Sequence, residues 1–205
     1  MQIPDIRTLV MYGLAFLLAV TVHEYAHARA AVHAGDETPR LNGRMSLNPI
    51  DHLDPIGTVM FVITMLYGFG IAWGKPVPVN PYNFRNPRWD NLKVSLWGPL
   101  SNILTAFLLS MIVRFHLLPI DVVFYQLLII CVTFNLTIAF FNLIPVPPLD
   151  GSHILSSLLP YEQARAYDAF VSRFALLILI GLLATGLAGI IIREPVYFFI
   201  RLFLG

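Results

Sequence analysis

Four stretches of this chain, Ile56 to Trp73, Val94 to Val113, Val122 to Leu149 and Phe174 to Ile192, run for 18 to 28 residues without a charged side chain. A fifth, Leu9 to Val22, continues through a polar interruption to about Val32. A bilayer core of roughly 30 Å is crossed by about 20 apolar residues in a helix, and an open strand there would leave its backbone groups unpaired. The runs therefore predict an all-α integral membrane protein, a polytopic bundle of about five to six membrane segments. Val196 to Leu204 is too short to cross alone and carries Arg201, which suits an interfacial position or a partial turn back into the membrane.

Composition agrees. Hydrophobic residues make up 57% of the 205, against 13 basic and 12 acidic side chains, too few polar groups to cover a water-soluble globule. A net charge of +1, with Lys and Arg dispersed between apolar blocks, speaks against nucleic-acid binding. The lone cysteine, Cys131, can build neither a disulfide framework nor a cysteine-based zinc site. The first run follows Asp5 and Arg7 and leads into His23-Glu24 without a cleavage site, so it reads as a retained helix. With no internal repeat and no linker, residues 1–205 are expected to form one domain. Between the runs, Gly35 to Asp54 alternates polar and apolar residues around Asn42-Gly43, a pattern that predicts a short surface β-hairpin. Lys75 to Lys93, broken by Pro76, Pro78, Pro81 and Pro87, predicts an extended connection.

Charged groups within lipid are costly, about 2.5 to 3.5 kcal/mol each on insertion scales, and so point to function. The first helix holds three ionisable groups together, in the order His23-Glu24-Tyr25-Ala26-His27. This is the HExxH pattern: residues four apart share a helix face, so both imidazoles reach one zinc ion, while the glutamate sits near the water that zinc acidifies. Glu24 is thereby placed to take a proton from that water and pass it to a leaving amine. Ala15, Ala19, His23, His27 and Ala31 form one i,i+4 ridge that lets neighbouring helices approach closely.

A catalytic zinc takes a third protein ligand, and Asp150 is the best candidate. It follows Asn142-Leu143-Ile144-Pro145-Val146-Pro147-Pro148-Leu149, where three prolines in four positions must unwind the helix. Such backbone is tolerated at membrane depth only beside protein or a water-filled cavity. His33, Asp51, His52, Asp54, His116 and His153 carry suitable atoms but lie where solvated or capping roles are commoner. Asn102 has a structural alternative, since Gly98, Asn102, Ala106 and Ser110 make a ridge across which an amide can hydrogen-bond.

HExxH in an early membrane helix together with Asn142-x-x-Pro-x-Pro-x-x-Asp150-Gly151 resembles the site-2 protease family of intramembrane zinc metalloproteases. Gly98-Pro99-Leu100-Ser101-Asn102 is similar to that family's GPxxN element. Asn48-Pro49, Asp54-Pro55 and Lys75-Pro76-Val77-Pro78-Val79-Asn80 match its compact bacterial and archaeal subgroup. The resemblance spans about Val20 to Leu155. It implies that His23, His27 and Asp150 hold one Zn2+ per chain, and that Glu24 is the catalytic base. It further implies that Asn142 and Asn102 stabilise the site or the developing oxyanion. The implied reaction is hydrolysis of a peptide bond in or near the transmembrane segment of a membrane-protein substrate, in regulated intramembrane proteolysis. Neither a PDZ nor a CBS domain fits in the remaining residues. The alternative class is a transporter or proton-relay protein using the buried His, Glu and Asp groups.

The two halves of this site lie at the C-terminal ends of the first and fourth runs, which would point to opposite faces if every run crossed. One intervening run should therefore re-enter, and Ile56 to Trp73 is the best candidate, bounded by Pro55 and Lys75 and interrupted by Gly68 and Gly70, with Gly74 just beyond. That arrangement puts eight basic residues on the side of the zinc site and four opposite, against seven and five if all runs cross. The site then faces the cytoplasm, in the plasma membrane of a prokaryote. In the last run Gly181, Thr185 and Gly189 recur at i,i+4, which predicts a close helix contact within the chain or between two copies in a homo-oligomer.

Overall fold

A computed structural model describes residues 4–67, 70, 72–119 and 121–205. Helix α1 (Ile6–Ala34) opens on Asp5, whose carboxylate accepts from Thr8 N at 2.7 Å, and closes on Gly35 at φ 110°, a left-handed cap. A four-residue turn of helix, α2 (Thr38–Leu41), and the shorter α3 (Pro55–Tyr67) follow. Then come α4 (Pro87–Arg114) and α5 (Val122–Asn142), α6 (Asp150–Leu158), α7 (Tyr161–Ala184) and α8 (Leu187–Leu204). Four of these, α1, α4, α5 and α7, are long and apolar enough to cross a membrane.

Polar contacts along α1 set the directions of its neighbours. Asn102 Nδ2 donates to Ala19 O at 2.8 Å and His27 Nδ1 to Val94 O at 2.8 Å, so α4 runs antiparallel to α1. Arg7 donates to Gln126 at 2.6 Å, and the Tyr12 and Phe134 rings pack 5.6 Å apart, so α5 runs parallel to α1. The ridges read from the sequence face each other here: Ala15, Ala19, His23, His27 and Ala31 are buried on α1, and Gly98, Asn102, Ala106 and Ser110 on α4.

Since α1 and α4 are antiparallel, everything between them must leave and return on one side. At 13 residues α3 is only about 20 Å long, and beyond it the chain comes back to pair Gly74 with Leu53 in an antiparallel bridge. Lys75 N reinforces this with a bond to His52 O at 2.8 Å. Two glycines permit the return. A Cβ on Gly57 would lie 2.1 Å from Trp73 O, and one on Gly74 2.4 Å from the Val20 side chain of α1. Gly68 lies outside the described residues.

Two expectations fail. No hairpin forms between Gly35 and Asp54, because side-chain-to-backbone bonds hold the chain in short helical turns. Asp36, the residue before the α2 N-cap, accepts from Thr38 N at 3.1 Å, and Asn48 accepts from Ile50 N at 3.3 Å to cap a 3-10 turn at Pro49–His52. The run Phe174 to Ile192 is not one helix either: Gly186 at φ 73° breaks it between α7 and α8. Among the described residues a Cβ on Gly181 or Gly189 would meet nothing within 4 Å, so there these glycines serve no close helix contact.

The unwound segment 143–149 is fixed by its own apolar side chains. Ile144, Val146 and Leu149 are buried with Val132 and Leu136 of α5 and with Ile192, Val196 and Phe203 of α8. Tyr167 of α7 adds a bond from its hydroxyl to Pro145 O at 2.8 Å.

Candidate metal centre

In α1, His23 and His27 stand one turn apart on the buried ridge, and Asp150, the first residue of α6, is delivered to them by the 143–149 segment. His23 Nε2 lies 3.1 Å and His27 Nε2 3.2 Å from Asp150 Oδ2, with 3.0 Å between the two nitrogens. Four ligands held tetrahedrally at zinc distances are separated by about 3.3 Å. The three atoms thus approximate one face of such a tetrahedron.

The outer contacts fix the neutral tautomer of both rings. His23 Nδ1 is 2.7 Å from Asn102 Oδ1, and His27 Nδ1 is 2.8 Å from Val94 O, both of which only accept. Each Nδ1 therefore carries the hydrogen, leaving each Nε2 lone pair aimed at Asp150. The orientation of Asn102 follows from its own partners: Nδ2 donates to Ala19 O and, at 2.9 Å, to Asn135 Oδ1, while Asn135 Nδ2 donates to Cys131 O at 2.8 Å. The His23, His27, Asn102 and Asn135 side chains are buried, and among the described residues Asp150 Oδ2 has no hydrogen-bond donor of its own. Two nitrogen lone pairs and a carboxylate oxygen packed this closely could hold a cation: a single proton bridges one edge, whereas a tetrahedral cation satisfies all three. The donor set suits zinc.

Close approach of α4 completes the wall. A Cβ on Gly98 would come 2.3 Å from His27 Nε2 and 2.8 Å from His23 Cε1, so only glycine fits against the two rings. Likewise a Cβ on Gly151 would meet Leu143 O at 2.3 Å and Ile144 O at 2.5 Å, which accounts for the glycine after Asp150. Glu24, next on the helix, is held from outside: its Oε2 accepts from Val77 N at 2.8 Å.

Of the residues singled out in the sequence, the structure brings together His23, His27 and Asp150, with Asn102 behind His23. Asn142 ends α5, donates back to Ile138 O at 3.0 Å and makes no hydrogen bond to the three among the described residues. His33, His116 and His153 are exposed, and Asp54 instead caps α3 by accepting from Gly57 N. His52 is fully buried beside Arg44. Asn135, Val94 and Val77 escaped the sequence reading. A lone amide in an apolar run was the available signal for Asn135, and the other two act through backbone atoms that no side-chain motif records.

A family model described as "Peptidase family M50" matches residues 118–185. The protein named "Putative zinc metalloprotease YwhC" of Bacillus subtilis is 37% identical over 171 residues, 77% of this chain and 76% of that protein. Two proteins named "Putative zinc metalloprotease Rip2" are also similar. That of Mycolicibacterium smegmatis is 28% identical over 90% of this chain and 70% of its own length, and that of Mycobacterium tuberculosis 33% identical over 84% and 66%. No solved structure matches.

Proposed function

Since the chain belongs to peptidase family M50 and is a membrane-embedded zinc metalloprotease, we propose that it hydrolyses a peptide bond in or beside the transmembrane segment of a membrane-protein substrate. His23, His27 and Asp150 would hold one zinc ion per chain, Glu24 would act as base, and residues 1–205 would work as one domain. The observation that carries this reading is the triangle of His23 Nε2, His27 Nε2 and Asp150 Oδ2, with both Nδ1 atoms committed elsewhere.

Zinc there would supply Lewis acidity, making water acidic and polarising a substrate carbonyl. Everything else falls to the chain. Asn102 and the Val94 carbonyl hold the imidazoles in the binding tautomer, and Gly98 admits the α4 backbone against them. Glu24, clamped at one oxygen by Val77, keeps the other free to accept a proton and return it to the leaving nitrogen. The substrate helix must unwind locally, because a helical peptide spends its carbonyls on internal hydrogen bonds. Asn142 is the nearest amide in sequence to the unwound segment and would serve the developing oxyanion only after turning away from Ile138 O.

The bias of basic residues towards the loops beside the site supports a cytoplasmic orientation in a prokaryotic plasma membrane. Regulated release of a cytosolic fragment is the matching biological role. Detergent-purified wild type should carry close to one zinc, His27→Ala should lose it while remaining folded, and Glu24→Gln should retain zinc but cleave nothing. A well-folded wild type, never exposed to chelator, that holds little zinc would overturn the reading in favour of a proton relay.

A further inference from the structure

Glu24 is not positioned by its own helix alone. In Lys75-Pro76-Val77-Pro78 the two prolines have no N–H, so Val77 N is the one backbone donor among residues 76–78, and it is aimed at Glu24 Oε2, 2.8 Å away. The carbonyl of that same peptide unit, Pro76 O, accepts from Arg44 Nη1 at 3.0 Å. Arg44 Nη2 binds the preceding carbonyl, Lys75 O, and lies 3.4 Å from His52 Nδ1. His52 Nε2 donates to Ser46 O at 2.7 Å, which leaves Nδ1 to accept from Arg44.

Arg44 is 4% exposed, and among the described residues no carboxylate forms an ion pair with it. A buried guanidinium without a counter-ion is costly. Here its charge meets backbone carbonyls, and through the Pro76–Val77 peptide it reaches the carboxylate of Glu24. In a trans peptide the C=O and N–H point to opposite sides, so the cation sits at the negative end of the peptide dipole and the carboxylate at the positive end. Each charge strengthens the other's hydrogen bond.

We propose that Arg44 is a positioning residue for Glu24, acting through the single Pro76–Val77 peptide to hold the carboxylate where it serves the reaction. The proposal rests on the reading of Glu24 as base. It accounts for three features otherwise separate: a buried arginine without an acid, a Pro-x-Pro strap with one donor, and a histidine buried away from the metal triad.

The test compares Arg44→Gln, Val77→Pro, the double variant and Glu24→Gln, each checked for folding and zinc content in detergent. The first readout is the infrared carboxylate stretch of protein labelled with 13C at the glutamate carboxyl. Only Glu24, Glu37, Glu162 and Glu194 then contribute, and the Glu24 band is the one missing in Glu24→Gln. In both single variants that band should shift, with and without zinc. On a quenched casein-derived peptide kcat should fall about 10–100-fold with KM within about twofold and zinc retained, and the double variant should be no slower than either single one. A band unmoved in both variants, multiplicative losses in the double variant, or loss of zinc with loss of turnover would overturn the proposal. Should Glu24→Gln itself keep full turnover, the base assignment falls, and the catalytic use of the relay with it. An unmoved band beside an inactive Glu24→Gln sinks the relay alone.

Discussion

The imidazole of His23 illustrates how much of a candidate metal site is decided by contacts outside the ligand atoms. Its tautomer is set by Asn102, whose orientation is set by Asn135, whose orientation is set by the Cys131 carbonyl. Replacing Asn102 by Leu removes the acceptor that keeps the hydrogen on Nδ1. Zinc affinity should then fall about 10–100-fold, measurable by competition with a chelator. Gly98→Ala drives a methyl group into both rings, which can yield only by breaking the Nδ1 bonds to Asn102 and Val94 that hold them in place. The variant should bind far less than one zinc and lose about 1–3 kcal/mol of stability, both readable on one purified sample. The HExxH and Asp-Gly positions were legible in the sequence because each carries its chemistry in a side chain. Val77 and Val94 were not, because what they contribute is a backbone N–H and a backbone carbonyl.

Among the elements, the loop after α1 and the strap at 75–83 depend on each other. Asp36 is fully buried and accepts from Thr38 N, Thr38 Oγ1, Asn80 N and Asn83 Nδ2. Burial pushes its carboxyl up, but these bonds outweigh it and lower it below the ordinary value. A lowered folded-state value means the stabilisation is complete above the unfolded carboxyl's pKa, near 4, and disappears as pH falls through the folded one. Asp36→Ala should cost about 1–3 kcal/mol at neutral pH, and its deficit relative to wild type should shrink in thermal melts at acidic pH. The same loop shows where pattern reading stops. Asn42-Gly43 does mark a turn, Gly43 having φ 66°, but a hairpin also needs two strands that pair. Here the Asp36 and Asn48 side chains capture the backbone into helical turns first.

For the molecule as a whole, the parallel alignment of α1 and α5 with an antiparallel α4 beside them requires an even number of passages between the two halves of the site. The sequence supplied this by argument from site geometry, and the Leu53–Gly74 bridge gives its physical form. Membrane-impermeant labelling can check it, since the lone native thiol, Cys131, is buried. Single cysteines at Leu47 and Tyr82 should react from one face of the membrane and a cysteine at Leu117 from the other. Reaction of 47 and 82 from opposite faces would dispose of the re-entrant arrangement. The number of crossings was harder to read, because a left-handed glycine inside an apolar run looks like any other glycine until Gly186 ends α7.

The three converging atoms belong to positions 23, 27 and 150. During synthesis the two histidines and the glutamate enter the membrane long before the carboxylate that completes the triangle has been translated. On the proposed assignment the site stays chemically unfinished while α4 and α5 are still being inserted, and it would become competent only once the 143–149 segment has brought Asp150 back to α1, with α7 and α8 still to be made.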